Sequence, residues 1–307
     1  MSDPVNNGIL NISKEAGYTS FDVVAVVRGI YHQKKVGHTG TLDPMATGVL
    51  PVALGKGTKV CGMITDWDKE YIAELLLGRV TDTLDVTGTT EGGDPGKAME
   101  LSRDLIEKAV MGYLGDIDQI PPMYSALKSN GQRLYDIARS GKTVERKPRR
   151  VSIKRIEILS IELPVVRFKV LCSKGTYIRS LCDDIGRDLG CGGCMQSLVR
   201  SCVGPFDLES AHSLDELRKL ADEGRRDELI SLIRPVDTVF GEYPEITVTG
   251  EADRLLLNGN KLTKDDMVSF AGTDEKQMFR VYHPDGEFAA VYEYDPLSGV
   301  FAPYKMF

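Results

Sequence analysis

The 307-residue sequence has no apolar run long enough to cross a bilayer; VVAVV and LPVALG are the best it offers, so no membrane span is expected. Its start, MSDPVNNGIL, lacks a basic stretch followed by an apolar one, which argues against a signal peptide and for a cytoplasmic protein. The phosphate-cradling fingerprints are missing too. Gly55-Lys56 is followed by Gly57 where a P-loop needs Ser or Thr, and the dinucleotide glycine pattern fails. The six cysteines supply one close pair, Cys191-Gly-Gly-Cys194, whereas a structural zinc site usually shows two. They read as reduced, partly buried thiols, and neither a metal nor any other cofactor is expected. Net positive charge is also absent. The total is −7, which would exclude nucleic acid if the charges were evenly spread.

They are not evenly spread. From Lys128 to Arg155 the chain carries Lys128, Arg133, Arg139, Lys142, Arg146, Lys147, Arg149, Arg150, Lys154 and Arg155 against only Asp136 and Glu145. Solvated charged faces usually mix their signs. This segment suits a phosphate backbone instead, and Tyr124 and Tyr135 are at hand for base stacking.

The apolar spacing of Val23, Val24, Val27 and Ile30 predicts a helix, with Ser20 as its N-cap. Glu70–Leu77 reads as a strand, residues 81–96 as a loop, and Leu101–Met111 as a helix capped by Ser102. Two β-type runs lie between Val151 and Cys172. Ile178, Leu181, Ile185 and Leu189 share a helical face that ends at Gly190. Leu214–Ile233 is amphipathic, and short strands follow Pro235.

Two places could hold chemistry. The glycine-broken passage Gly37–Pro51 collects His38, Asp43 and three threonines; Asp43 is either a reactive carboxylate or an ordinary turn aspartate before proline. In Ser173-Lys-Gly-Thr-Tyr-Ile-Arg179, Arg179 is either a two-point partner for a carboxylate or a charge on the solvent side of a helix, off its apolar face.

Residues 35–51, KVGHTGTLDPMATGVLP, resemble the catalytic motif of the TruB-type tRNA pseudouridine synthases. The resemblance continues through Lys69-Glu-Tyr71, Thr81-Asp-Thr, PPMYSALKSNGQRLYDIAR and SKGTYIRSLCDDIG to SLVRSCVGPF, about two-thirds of the chain in order. It implies an α+β fold, a mixed and largely antiparallel sheet with flanking helices, followed by a small β-rich PUA-like RNA-binding domain. Residues 1–238 would be catalytic, with an RNA-gripping insertion at about 124–150, and residues 239–307 would form the second domain. Asp43 would be the catalytic aspartate, Arg179 its partner, and Tyr71 the residue stacked on the target base. His38, Leu198, Lys14, Tyr177, Arg139 and Lys128 would bind substrate. The chain departs from the family in having Lys14-Glu15 where Lys-Pro is usual. The implied reaction is isomerisation of a T-loop uridine in tRNA by a monomer that needs no small-molecule cofactor. Two rivals share the surface: an RNA-remodelling factor without turnover, and a relative working with a guide RNA.

Overall fold

The computed structural model describes residues 5–125, 127–129 and 131–307, with the side chains of Lys128, Ser129 and Arg133 outside the description. The chain opens with β1 (Gly8–Lys14), α1 (Ser20–Ile30), β2 (Val36–His38), β3 (Thr47–Leu54) and α2 (Cys61–Asp66). Next come β4 (Lys69–Leu77), a small hairpin of β5 (Val80–Thr81) and β6 (Thr90–Gly92), α3 (Pro95–Met99) and α4 (Arg103–Met111). Strand β7 (Gly115–Gln119) leads to β8 (Lys128–Ser129), β9 (Gln132–Arg133) and α5 (Leu134–Arg139). The long hairpin of β10 (Arg149–Glu162) and β11 (Val165–Cys172) is followed by α6 (Ile178–Asp188), β12 (Gly193–Val203) and β13 (Phe206–Asp207). Helices α7 (Leu214–Asp222) and α8 (Arg226–Ser231) precede the second sheet: β14 (Glu245–Thr247), α9 (Asp253–Leu257), β15 (Leu262–Thr263), β16 (Gln277–Tyr282), β17 (Phe288–Asp295) and β18 (Val300–Met306).

The large sheet runs β1-β3-β12-β4-β11-β10-β7, antiparallel throughout except where β12 meets β3. It is the expected mixed, largely antiparallel sheet. Strand β3 reads TGVLPVAL because both its faces are covered. Leu50, Val52 and Leu54 enter one core with α1, α6 and α7, while Val49 and Ala53 enter another with Ile64, Phe206 and Phe240. That second core also takes Val291 of β17, so the small sheet (β14-β16-β17-β18-β15) packs behind β1 and β3. No helix among the described residues is long and apolar enough to cross a membrane.

Local readings need several corrections. The cap of α1 is Thr19, one residue before Ser20; Thr19 and Asp22 close a reciprocal capping box, and Ser20 is buried. The passage 37–51 is more regular than its glycines suggest, since it holds the end of β2 and the first five residues of β3. The expected loop 81–96 contains the β5/β6 hairpin, and 214–233 breaks into two helices at Gly224, which has φ of 70°. Ser102 caps α4 as expected.

Candidate active site

Strand register assembles the floor of the site. Lys14 on β1 pairs with Gly48 on β3, Gly48 with Arg200 on β12, and Arg200 with Tyr71 on β4. One row across four strands therefore joins residues that are far apart in the sequence. Gly48 is required here: its φ is 102°, and a Cβ would lie 2.2 Å from the Arg200 carbonyl.

Asp43 lies in the tight connection between β2 and β3, and its neighbours are tied down. The Ser20 hydroxyl accepts from the Leu42 N–H at 2.9 Å, and the Pro44 carbonyl accepts from the Gly17 N–H at 2.9 Å. The Lys14 ammonium, fully buried, donates to the carbonyls of Glu15, Tyr18 and Pro44 at 2.7–2.9 Å. Burial lowers the Lys14 pKa to about 8, against the pull of Asp43. This clamp ties the Glu15–Tyr18 turn to the backbone beside Asp43.

Arg179 meets Asp43 from the start of α6. Its Nε and Nη2 face the two carboxylate oxygens at 2.9 and 3.2 Å, a two-point grip. Nη2 also donates to the Tyr124 carbonyl at 2.7 Å and Nη1 to the Thr83 carbonyl at 3.1 Å, while Asp85 stands 3.8 Å from Nη1. The arginine side chain is 6% exposed and the Asp43 side chain 38%, so the cation is sealed and the anion is open to a ligand. Helix α6 starts at Ile178. Arg179 is therefore in its first turn and faces inward, which overturns the reading of it as a solvent-side charge. Tyr177, just before α6, is locked by Gln119, whose side chain accepts from its N–H at 2.7 Å and donates to its carbonyl at 3.0 Å. Desolvation pushes the Asp43 carboxyl above its ordinary value, and the guanidinium pulls it back. The fork geometry favours the ionised form.

Tyr71 is buried beside Arg200, and burial raises its phenol pKa. Arg200 is 1% exposed; it donates from Nε to the Val49 carbonyl at 2.7 Å and from Nη2 to that of Gly40 at 3.2 Å, and it pairs electrostatically with Tyr71. Leu198, buried, precedes Arg200 by two positions and shares its side of β12. The His38 ring accepts from the Gly40 N–H at 3.3 Å and meets Phe21 edge-on, while burial lowers its pKa.

The structure thus gathers Lys14, Asp43 and Arg179 into one cluster, and Tyr71 and His38 adjoin it through Arg200. Arg139 stands apart, exposed on α5 with its guanidinium 5.3 Å from the Tyr135 ring. The Lys128 side chain lies outside the described residues. A cleft of about 920 Å³ runs between the 80–94 and 123–146 segments, with Leu84, Tyr124, Lys142 and Arg146 among its walls. Asp43, Tyr71 and His38 do not line it. Sequence reasoning missed Asp85, Thr83, Gln119 and Arg200. Thr83 stood in the Thr81-Asp-Thr motif without a role, and Arg200 left a signal as a cation in the otherwise apolar-alternating run SLVRSCV. The described residues include no group of three His, Cys, Asp or Glu placed to hold a metal, and burial raises the Cys182, Cys191 and Cys194 thiols.

The chain is similar to two sets of known proteins. A model of the TruB family pseudouridylate synthase N-terminal domain matches residues 28–178, and one of the tRNA pseudouridylate synthase B C-terminal domain matches 179–241. A tRNA pseudouridine synthase B of Lachnoclostridium phytofermentans is 46% identical over 98% of this chain and 99% of its own. One from Dehalococcoides mccartyi strain BAV1 is 42% identical over 98% and 96%. Among solved structures, a chain of an H/ACA RNP bound to a substrate RNA containing 2′-deoxyuridine superimposes with a TM-score of 0.72 at 25% identity, covering 99% of this chain and 86% of that one. A chain of a Cbf5-Nop10-Gar1 complex gives 0.71 at 28%, covering 98% and 84%. In class, then, the molecule is a pseudouridine synthase, an isomerase with a large mixed sheet and a curled C-terminal β-domain. The chain belongs to the TruB family, and its activity is that of a tRNA pseudouridine synthase.

Proposed function

We propose that the uridine isomerised lies in the T loop of tRNA and that Asp43 is the essential carboxylate. The observation that carries this is the solvent-open Asp43 carboxyl group held in a two-point grip by the sealed Arg179. Pseudouridine formation breaks the N1–C1′ bond, turns the base, joins C5 to C1′, and releases the C5 proton while N1 gains one. The sugar carries positive charge as the first bond breaks, and a fixed carboxylate beside C1′ stabilises it. Glycosidases need a second carboxylate to deliver water. Here water must be kept out and the base retained, which suits one carboxylate paired with an arginine.

A uridine inside a folded loop must leave its stack to reach Asp43. Tyr71 then stacks on the flipped base and takes part in proton transfer, Leu198 lines its pocket, and His38 fills the space it leaves. Residues 124–150 grip the tRNA backbone; their anchor to the site is the Tyr124 carbonyl bound by Arg179. The protein acts as a monomer and without a guide RNA. Residues 239–307 form a second, PUA-like unit, which starts within the buried turn Val236–Phe240.

The test uses tRNA transcripts carrying 5-tritiated uridine and no other RNA. Wild-type protein should release about one equivalent of tritium per tRNA, because C5 must lose its hydrogen. Asp43→Asn should release none while binding tRNA nearly as tightly. Loss of release on changing the T-loop uridine to cytidine locates the target; release that persists there sinks the T-loop assignment.

A further inference from the structure

We propose that the ring of Phe21 is a stacking platform for an unpaired nucleobase of the RNA at the mouth of the Asp43 site; this rests on the tRNA reading above. Among the described Phe, Tyr and Trp side chains only Phe21 and Tyr304 are exposed, and Phe21 is 67% exposed. The fold does not call for an aromatic there. The buried stripe of α1 is Ser20, Val23, Val24 and Val27, and Phe21 points away from it. Its backbone is nevertheless firmly placed. Thr19 and Asp22 close the capping box around it, Ser20 is bonded to Leu42, and Gly17 to Pro44, so Phe21 is stitched to both neighbours of Asp43.

The ring meets His38 at 5.4 Å between centroids with an interplanar angle of 85°. An edge-to-face contact occupies at most one face of either ring, so Phe21 keeps at least one face open. Met45, two residues beyond Asp43, is a second exposed apolar side chain, 61% exposed. An RNA loop opened to release one nucleotide presents unstacked bases, whose flat π-faces match such a ring whatever their identity. A second protein copy is a poor occupant, because two side chains fall far short of the roughly 800 Å² per partner of a stable interface.

The test compares Phe21→Leu, which keeps the apolar bulk without a ring, with Phe21→Trp, which restores one. Phe21→Leu should lower kcat/KM for bulk unmodified tRNA about five-fold or more, mainly through KM, and Phe21→Trp should rescue it. Thermal melting of the variants controls for folding. Independently, the fluorescence of the indole that Phe21→Trp introduces, measured in an Asp43→Asn background, should be quenched on adding tRNA. The Trp67 signal of Asp43→Asn alone is subtracted first. Wild-type kinetics for Phe21→Leu together with an unquenched indole would overturn the proposal, as would a change of oligomeric state in Phe21→Leu. The same series on tRNA with cytidine at the T-loop target separates the two claims. If tritium release persists there, the T-loop reading falls, while the Phe21 comparison still reports stacking.

Discussion

At the scale of single residues the site is a set of charges whose partners are fixed. Arg179 uses its fork on Asp43 and spends its remaining hydrogens on the carbonyls of Tyr124 and Thr83. A lysine can offer a point charge but no planar fork. Arg179→Lys should therefore fold and bind tRNA yet lose turnover by about 100-fold or more, an effect of the size seen when a preorganised electrostatic group is lost. Single-turnover tritium release checks it, and a near-normal rate would show that the fork is dispensable. Lys14 gives a prediction in pH. Its pKa is about 8 in the folded protein against an ordinary 10.5. Between those values the folded chain has released a proton that the unfolded chain still binds, so stability rises with pH across that window. Denaturation of wild type and Lys14→Met, compared near neutral pH and again within that window, should show the difference moving in favour of the wild type at the higher pH. An unchanged difference would mean that the amine is not desolvated as its three carbonyl contacts imply.

At the scale of elements the turn between β5 and β6 has a particular task. Leu84 sits at φ 62°, a conformation a side chain adopts at a cost, with its N–H bonded to the Thr81 carbonyl and its carbonyl to the Met195 N–H. The residues on either side, Thr83 through its carbonyl and Asp85 through its carboxylate, both face Arg179. The strained residue thus aims two acceptors at one cation. Leu84→Gly relieves the strain while adding freedom to the unfolded chain, so its stability should stay within about 1 kcal/mol of wild type. Leu84→Val, β-branched at positive φ, should cost about 1–3 kcal/mol and reduce turnover. Urea midpoints and tritium release on both variants decide it; equal behaviour of the two would remove the role given to this turn.

At the scale of the whole molecule the charge is divided. Residues 239–307 hold six Lys and Arg against twelve Asp and Glu, so nearly all of the net −7 lies in the small C-terminal sheet. We propose on this ground that phosphate binding falls to the basic segment; the family resemblance implied an RNA-binding role for the small domain as well, and two pairs of variants distinguish them. Lys142→Glu with Arg146→Glu should weaken tRNA binding and lower the slope of log affinity against log salt by about one for each phosphate no longer neutralised. Lys261→Glu with Lys264→Glu should change neither. A reversed result would place the backbone on the C-terminal sheet.

Much of this was legible in the sequence because it is local. The apolar stripes of α1 and α6, the Ser102 cap and the strand at Glu70–Leu77 follow from spacing along a few turns or residues. Asp43, His38 and Tyr71 stood in motifs, and the basic run showed in composition alone. Helical spacing alone could not show that Arg179 points inward, which only the family motif implied, because that depends on where α6 starts, and Gln119, 58 residues away, fixes that start through the Tyr177 backbone. Nor could it show Arg200. A cation in a strand is an exposed charge by default, and only the register of three strands makes it a buried one bridging Tyr71 and the carbonyls of Gly40 and Val49. Short-range periodicity determined the elements and marked the reactive residues. Which side chains meet was decided by strand pairing, since a slip of one residue turns every side chain to the other face of the sheet.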